Sequence, residues 1–452
     1  MAVLWTDWLI YLLVITVVFL TRYFSKKPQW QRPLQSIVSN KTGMLSFVVL
    51  LFFIGIGLLD SIHFKYSDKN VANNGASNEI ISVLDYWATP LRTQMEKTYS
   101  APFATQLYSK EVVITDEGKK HWAYPRLQHG GEYLTHPATQ KIRDLVQKAG
   151  LGFLKGLALS VVIIVLGWTL SSASQKKHLY GSTGKAVCGL LLFLIAGTGC
   201  VIELSGYYHI LGTDKVGEDV FYQAIKSIRT GLIIGSLTTL VMLPFAIVFG
   251  IMAGFFQGWI DDVITYLYTT LNSIPSVLLI AASILMVQVY MANHPDDFTN
   301  PLIRSDMRLL FLCMILGVTS WTGLCRLLRA ETLKLREMEY VQAARALGVK
   351  QSQILFRHIL PNVMHIVLIS VVLDFSSLVL AEAVLSYINI GVDPTTYSWG
   401  NMINGARLEM AREPVVWWSL AASFVFMFSL VLAANLFADC VQNAFDPRRA
   451  EK

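Results

Sequence analysis

Charge is scarce in this sequence. Of its 452 residues only 15% are Asp, Glu, Lys or Arg, while 54% are hydrophobic; a soluble chain would carry roughly 25% charged residues. The formal net charge of +6 does not make nucleic acid a partner, because the basic residues sit beside apolar blocks, as the positive-inside rule expects. Cysteine is sparse too. Cys188, Cys200, Cys313, Cys325 and Cys440 lie in or beside apolar segments and none forms a CxxC pair, so neither a zinc site nor a disulfide framework is indicated. The apolar core of Met1 to Leu20 has no basic n-region before it and no A-x-A site after it, so it reads as a retained helix with its N-terminus outside. A complete phosphate loop is missing as well. Gly181 to Lys185 (GSTGK) lacks the first glycine at the required spacing, has no strand before it, and is followed by Ala186 where Ser or Thr would hold magnesium. No nucleotide, metal or other cofactor is therefore expected in this chain, and no Ser/His/Asp or metal constellation suggests an enzyme.

What the sequence has in abundance is long apolar runs, with a mean hydropathy of +0.48. Blocks of about 17–25 apolar residues can cross a hydrocarbon core of about 30 Å as helices. They must be helical there, since lipid leaves backbone polar groups no other partner. The expectation is an all-α, polytopic membrane protein with about nine spans, at 4–20, 43–60, 152–171, 186–204, 230–252, 263–290, 308–327, 363–385 and 416–438. Basic residues orient them. Arg22, Lys26, Lys27, Arg32 and Lys41 follow the first span, and Lys176, Lys177 and Lys185 lie in the 172–185 loop. Arg329, Lys334, Arg336, Arg345, Lys350 and Arg357 lie in the 328–362 loop, and Arg448, Arg449 and Lys452 in the tail. An odd span count with the N-terminus outside puts all four groups, and the C-terminus, on the cytoplasmic side. The division is then 1–60, N-terminal spans; 61–150, an extracytoplasmic segment; 151–204, two further spans; and 205–452, a six-span core. The 61–150 segment is polar, with scattered aromatics and no clean periodicity. It reads as a small irregular domain or lid, or as a poorly ordered loop.

The cytoplasmic 328–362 loop carries the most information. Residues 339–361 read EYVQAARALGVKQSQILFRHILP. Tyr340, Ala343, Ala344 and Leu347 recur at i, i+3, i+4 and i+7, giving one apolar face on a short helix. Gly348 follows at the position where a helix often needs a left-handed residue. A second helix is expected over 352–360, with Pro361 opening the next span. Such a helix could rest on the membrane interface or dock on another protein, and the adjacent alanines favour close approach to a groove.

This stretch resembles the EAA loop of permease subunits of ATP-binding-cassette importers: E-A-A, three residues, Gly, nine residues, then a hydrophobic-x-Leu-Pro ending. Ala343, Ala344, Gly348, Leu360 and Pro361 match; Gln342 stands where the family usually has Glu, and His358 where it often has Ile. His209 to Val220, HILGTDKVGEDV, resembles the H-P-L-G-T-D-x-x-G-R-D-V signature of C-type subunits in dipeptide and oligopeptide permeases, carried here by Gly212, Thr213, Asp214, Gly217 and Asp219. Residues 381–400, AEAVLSYINIGVDPTTYSWG, and the closing NAFDPRR are similar to two further motifs of that family. The long segment before Gly212 resembles the YejE-type members. The resemblance covers about 205–450. It implies a channel-forming subunit of a bacterial inner-membrane peptide importer, with nickel or another small solute as the alternative cargo. It also implies as partners a homologous second permease, two ATPase subunits that hold ATP and magnesium, and an extracytoplasmic binding protein. The loop with Tyr340, Gln342, Ala343, Ala344 and Gly348 would be the coupling helix that docks on the ATPase. A stand-alone channel or secondary transporter is the reading from another class; secondary transporters often show inverted repeats, and none is visible.

Polar residues inside the spans are candidates for lining a path, because an ionisable group at membrane depth usually faces a bundle interior or a wet cavity. Asp374 and Glu382 lie in or near the 363–385 span, and Asn272 and Ser273, with Pro275, interrupt the 263–290 span. A structural hydrogen bond is the other reading for Asp374. Gly231, Gly235, Gly250 and Gly254 read as close helix packing through small residues more readily than as a gating hinge. Gly212 to Asp214 reads as a turn, with Asp214 or Asp219 capping the following helix, or as a substrate contact.

Overall fold

The computed structural model describes residues 4–25, 28–66, 79–114, 120–170, 181–298 and 300–445. The basic positions Lys26, Lys27, Lys176, Lys177, Arg448, Arg449 and Lys452 lie outside them, as does most of the FDPRR ending. In chain order the helices begin with α1 (Trp5–Ser25), α2 (Pro28–Ser39) and α3 (Lys41–Ser61). A hairpin follows, β1 (His63–Tyr66) with β2 (Glu79–Ser82), then α4 (Val83–Trp87), α5 (Thr89–Thr93) and a second hairpin, β3 (Glu111–Ile114) with β4 (Lys120–Ala123). The chain continues through α6 (Pro137–Leu170), α7 (Ser182–Ser205), α8 (Val220–Phe256), α9 (Gly258–Ser273), α10 (Ser276–Asn293), α11 (Pro301–Ser320) and α12 (Thr322–Arg336). It ends with α13 (Glu339–Ala346), α14 (Gln351–Ile354), α15 (Leu360–Tyr387), α16 (Trp399–Glu409) and α17 (Trp418–Phe445).

Among the described residues eight helical stretches are long and apolar enough to cross a membrane. The ninth expected span corresponds to α1, whose apolar stretch, Trp5–Phe19, is shorter. The expected 263–290 span is in fact two helices. Pro275 has no N–H to continue α9; α9 ends at Ser273, and α10 alone is long and apolar enough to cross. The boundary at 150 also moves, since α6 starts at Pro137 and runs unbroken into the next span. The phosphate-loop look-alike is the first turn of α7, with Gly181 as its N-cap.

The described residues form two compact units. The first comprises Ser36–Thr230 and Tyr397–Ala433. In it α6 and α7 approach closely because their facing residues are small. A Cβ added at Gly152 or Gly156 would lie 2.6 or 2.7 Å from a carbonyl of α7. Lys155 and Glu203 pair across the same two helices at 2.7 Å. Segment 61–136 forms the two hairpins and short helices, with Leu91, Tyr99, Leu107, Leu127 and Leu134 buried. The described residues of this segment, 61–66, 79–114 and 120–136, have defined backbone structure. Its polar sequence has no periodicity because its core comes from isolated side chains in irregular backbone.

The second unit comprises Val3–Gln35, Gly231–Thr396 and Ala434–Lys452. One apolar cluster joins α8, α10, α11 and α15 through Ile234, Leu237, Ile284, Leu312, Leu316 and Leu385, with Leu9 and Ile10 of α1 packed against it. Thr6 of α1 hydrogen-bonds the buried carboxylate of Asp306 on α11. A second cluster surrounds the loop helix α13. The glycines of α8 serve close packing: a Cβ at Gly235 would meet the Phe375 ring at 2.5 Å, and one at Gly254 would meet Thr332 Cβ at 2.6 Å.

Candidate functional site

The loop between α12 and α15 is built onto its own unit. Helix α13 buries Val341, fully, and Ala344, which join Ile251, Phe255, Leu328, Ile354 and Ile359 in one cluster. The inward face is thus Val341 and Ala344, an i, i+3 pair. The face predicted from Tyr340, Ala343, Ala344 and Leu347 is not the buried one: Tyr340, Ala343 and Leu347 are exposed, Leu347 to 83%. The periodicity missed this because Val341 satisfies the same helical spacing with Ala344, and a small alanine can serve either face. Arg336 donates to the Phe255 carbonyl at 3.2 Å, and the Arg345 guanidinium lies 5.1 Å from the centre of the Phe255 ring. Gln342 Nε2 donates to the Glu337 carbonyl at 3.2 Å. Gly348 has φ 74°, a left-handed conformation that costs a side chain about 1–2 kcal/mol. No separate helix spans 352–360. Helix α14 continues through a π-helical turn, Leu355–Ile359, into α15. Pro361 cannot donate to the turn before it, and the Leu360 N–H bonds five residues back to the Leu355 carbonyl. Phe356, 70% exposed, and Leu347 leave an apolar outer surface on the loop.

In the first unit, 209–220 is clamped to segment 94–131. Thr213, fully buried, is held from three sides. Its Oγ1 donates to the Thr98 carbonyl at 2.8 Å and accepts from the Ser100 N–H at 2.7 Å; its own N–H donates to the Ser100 carbonyl at 3.1 Å. Trp418 Nε1 donates to the Thr213 carbonyl at 2.9 Å. Gly217, φ 83°, packs so tightly that a Cβ would overlap the Glu96 carbonyl, and the Glu96 N–H donates to the Gly217 carbonyl. Asp214 Oδ1 accepts from the N–H of Val216 and of Glu218, making a turn. Asp219 caps α8 by accepting from the Tyr222 N–H at 3.0 Å. Its other oxygen meets His209 Nδ1 at 2.8 Å, and Glu96 Oε1 lies 3.8 Å from His209 Nε2. Burial opposes charge on this imidazole, but Asp219 and Glu96 outweigh it and raise its pKa to about 9. Burial likewise opposes the Glu96 carboxylate, while His209 and the N–H groups of His129 and Gln128 hold its pKa below the ordinary value. His209 is therefore a buried cation at neutral pH. Gly212 to Asp219 form a docking seam for segment 94–131.

Residues 246–451 match the family of binding-protein-dependent transport system inner membrane components. Relatives extend the likeness. A glutathione transport system permease protein of Pectobacterium atrosepticum is 30% identical over 242 residues, 53% of this chain and 73% of the relative. A putative peptide permease protein of Brucella suis is 31% identical over 242 residues, with the same coverage. An oligopeptide transport system permease protein of Mycobacterium tuberculosis is 28% identical over 247 residues, 55% of this chain and 78% of the relative. The chain belongs to this family. It is a multi-pass membrane component of a transporter of the ATP-binding-cassette class, and its family is one of transport rather than catalysis.

The permease places its four polar span residues apart. Asn272 Oδ1 accepts from Thr322 Oγ1 at 2.9 Å, tying α9 to the start of α12. Ser273 is exposed and donates to the Thr270 carbonyl. Glu382 is buried and accepts from Ser386 Oγ at 2.7 Å. Asp374 lines a cleft. A further cluster escaped the sequence reading. Lys226 of α8 pairs with Asp60 of α3 at 2.6 Å and with Asp85 of α4 at 2.9 Å. Tyr222 donates to Asp85 at 2.7 Å, and Ser82 Oγ to Asp60 at 2.7 Å. Burial opposes the Asp85 carboxylate, but Lys226 and the hydrogen bonds outweigh it and hold the pKa at about 2. The signal was available: Lys226 follows the start of a long apolar helix, and Asp60 closes another, which asks for a partner.

Proposed function

We propose that this permease is the C-type subunit of a peptide importer in a bacterial inner membrane, with its N-terminus outside and its C-terminus in the cytoplasm. The observation that carries the reading is the likeness, at 30% and 31% identity over 242 residues, to relatives named as permeases for glutathione and for peptides. It works with a homologous second permease, two ATPase subunits that hold ATP and magnesium, and an extracytoplasmic binding protein. The exposed side of α13, with Tyr340, Gln342, Ala343, Leu347 and Gly348, is the surface that meets the ATPase. Leu360 and Pro361 join it to α15. Because Val341 and Ala344 are part of the unit's own core, a push on α13 moves α12 and α15 with it rather than deforming a loose loop. ATP-driven closure of the ATPase pair then switches the spans between inward and outward openings. On the outer side, Gly212 to Asp219 hold the outer segment.

The test is uptake of a labelled tripeptide by proteoliposomes containing this chain, its copurifying subunits and the binding protein. Uptake requires ATP on the cytoplasmic side, and the purified chain alone hydrolyses none above background. Uptake that persists without ATP, or hydrolysis by the chain freed of every other polypeptide, would refute the assignment.

A further inference from the structure

Two charged side chains of opposite sign, Arg326 and Asp374, line one cleft of the second unit. The cleft has a volume of about 470 Å³, and its walls include Ser320, Gly323, Leu324, Arg326, Ser370 and Asp374. One wall comes from the α11–α12 stretch, where Ser320, Gly323 and Leu324 follow i, i+3, i+4 spacing. The other comes from α15, where Ser370 and Asp374 stand one turn apart on the same face. A Cβ built at Gly323 would meet nothing within 4 Å, so the space in front of that wall is open. Asp374 lies half-way along α15, about 21 Å from Leu360 at 1.5 Å per residue. It makes no hydrogen bond or ion pair among the described residues, and Arg326 makes no ion pair there. A carboxylate at that depth is costly unless it faces water or a charged group.

We propose that this cleft is a passing site for a short zwitterionic peptide. Asp374 takes the α-ammonium group, Arg326 the α-carboxylate, and Ser320 and Ser370 the main-chain amides between them. The proposal rests on the peptide reading above and deepens it. Its support is the pairing of both charge signs with hydroxyls in one open cleft, whose volume falls in the range of roughly 300–1,000 Å³ usual for small-ligand sites. Small residues and two point charges read the ends of a peptide and ignore its side chains, so the site tolerates many sequences. A site on a path must also release its cargo, and two solvated point contacts bind weakly.

The test uses the reconstituted transporter. Ser370→Cys is exposed during turnover to a cationic and an anionic methanethiosulfonate reagent, over the background of the parent protein. The cationic reagent reacts about tenfold faster, a preference that disappears when Asp374→Asn is added; tenfold corresponds to about 1.4 kcal/mol. Trialanine slows the reaction. Asp374→Asn lowers trialanine uptake at least about tenfold with all subunits still recovered, and Asp374→Glu restores part of it. A thiol reached by neither reagent, a reaction rate indifferent to reagent charge, or unchanged uptake in Asp374→Asn overturns the proposal. Loss of subunit recovery in Asp374→Asn also overturns it, because Asp374 would then hold the second permease. If the wild-type complex takes up no trialanine while the thiol keeps its charge preference, the peptide reading fails and the wet, charged cleft stands.

Discussion

Replacing His209 by Gln should loosen segment 94–131 in a pH-dependent way. In the wild type the imidazolium sits between Asp219 and Glu96, at 2.8 and 3.8 Å. Glu96 also accepts the N–H groups of Gln128 and His129, at 3.1 and 2.7 Å. The cation therefore ties the α8 cap, through Glu96, to the backbone at Gln128 and His129. A rise in the His209 pKa from 6.5 to about 9 corresponds to about 3 kcal/mol in favour of the charged form. The folded value lies above the unfolded one. The contribution is therefore complete below about pH 6.5 and is lost as pH rises through about 9. His209→Gln keeps a side chain that can hydrogen-bond but removes the charge, leaving two buried carboxylates facing each other; breaking a buried pair costs about 3–5 kcal/mol. The assay is the rate at which protease cuts 84–134 in the detergent-solubilised protein, measured against pH for both proteins. The variant is cut faster at neutral pH, and the difference narrows above about pH 9. A difference that does not change with pH, or no difference at neutral pH, would refute the account of His209 as a buried cation.

Two further substitutions test the rest of the framework. Ala343→Glu places a charge on the exposed side of α13, so stability should change by no more than about 0.5 kcal/mol, while recovery of the ATPase subunits and transport fall sharply. Ala344→Glu should instead destabilise the loop itself by several kcal/mol, since a buried unpaired charge is expensive, and thermal unfolding in detergent separates the two. Lys226→Met should cost about 3–5 kcal/mol by leaving Asp60 and Asp85 without their cation, read as a lowered unfolding temperature. Adding Asp60→Asn and Asp85→Asn should recover most of it; no recovery would mean that Lys226 acts through packing alone.

Much of the fold was legible because lipid simplifies the code. A run of apolar residues at membrane depth has only one backbone solution, so most spans from Lys41 onward were located, although several helices run well past the expected ends, α6 starting at Pro137 rather than 152. The failures share a cause. Ile274 and Pro275 sit in an apolar run, so hydropathy counted 263–290 as one crossing, while the backbone at Pro275 ended one helix and began another. The 61–136 segment was illegible for the opposite reason. Its structure is fixed by contacts far apart in sequence, such as Ser100 on Thr213 and Glu96 on Gly217, which no local period reports.

At the loop, sequence located the element but not its orientation. Gly348 was predicted to be left-handed because a helix end and a glycine coincide, and its φ of 74° agrees with that reasoning. The inward face was misassigned because α13 has eight residues, barely two turns, so Tyr340, Ala343 and Leu347 competed with Val341 for the same apolar role. The neighbours decided it: Leu328, Ile251 and Ile359 surround Val341 and Ala344. A motif match cannot make that distinction, since Ala343 and Ala344 are adjacent matched positions that point to opposite environments. Ala344 anchors the loop to its own chain, and Ala343 is exposed. If the proposed docking is right, Ala343→Glu and Ala344→Glu both abolish transport, and measurement of stability tells the anchor from the contact.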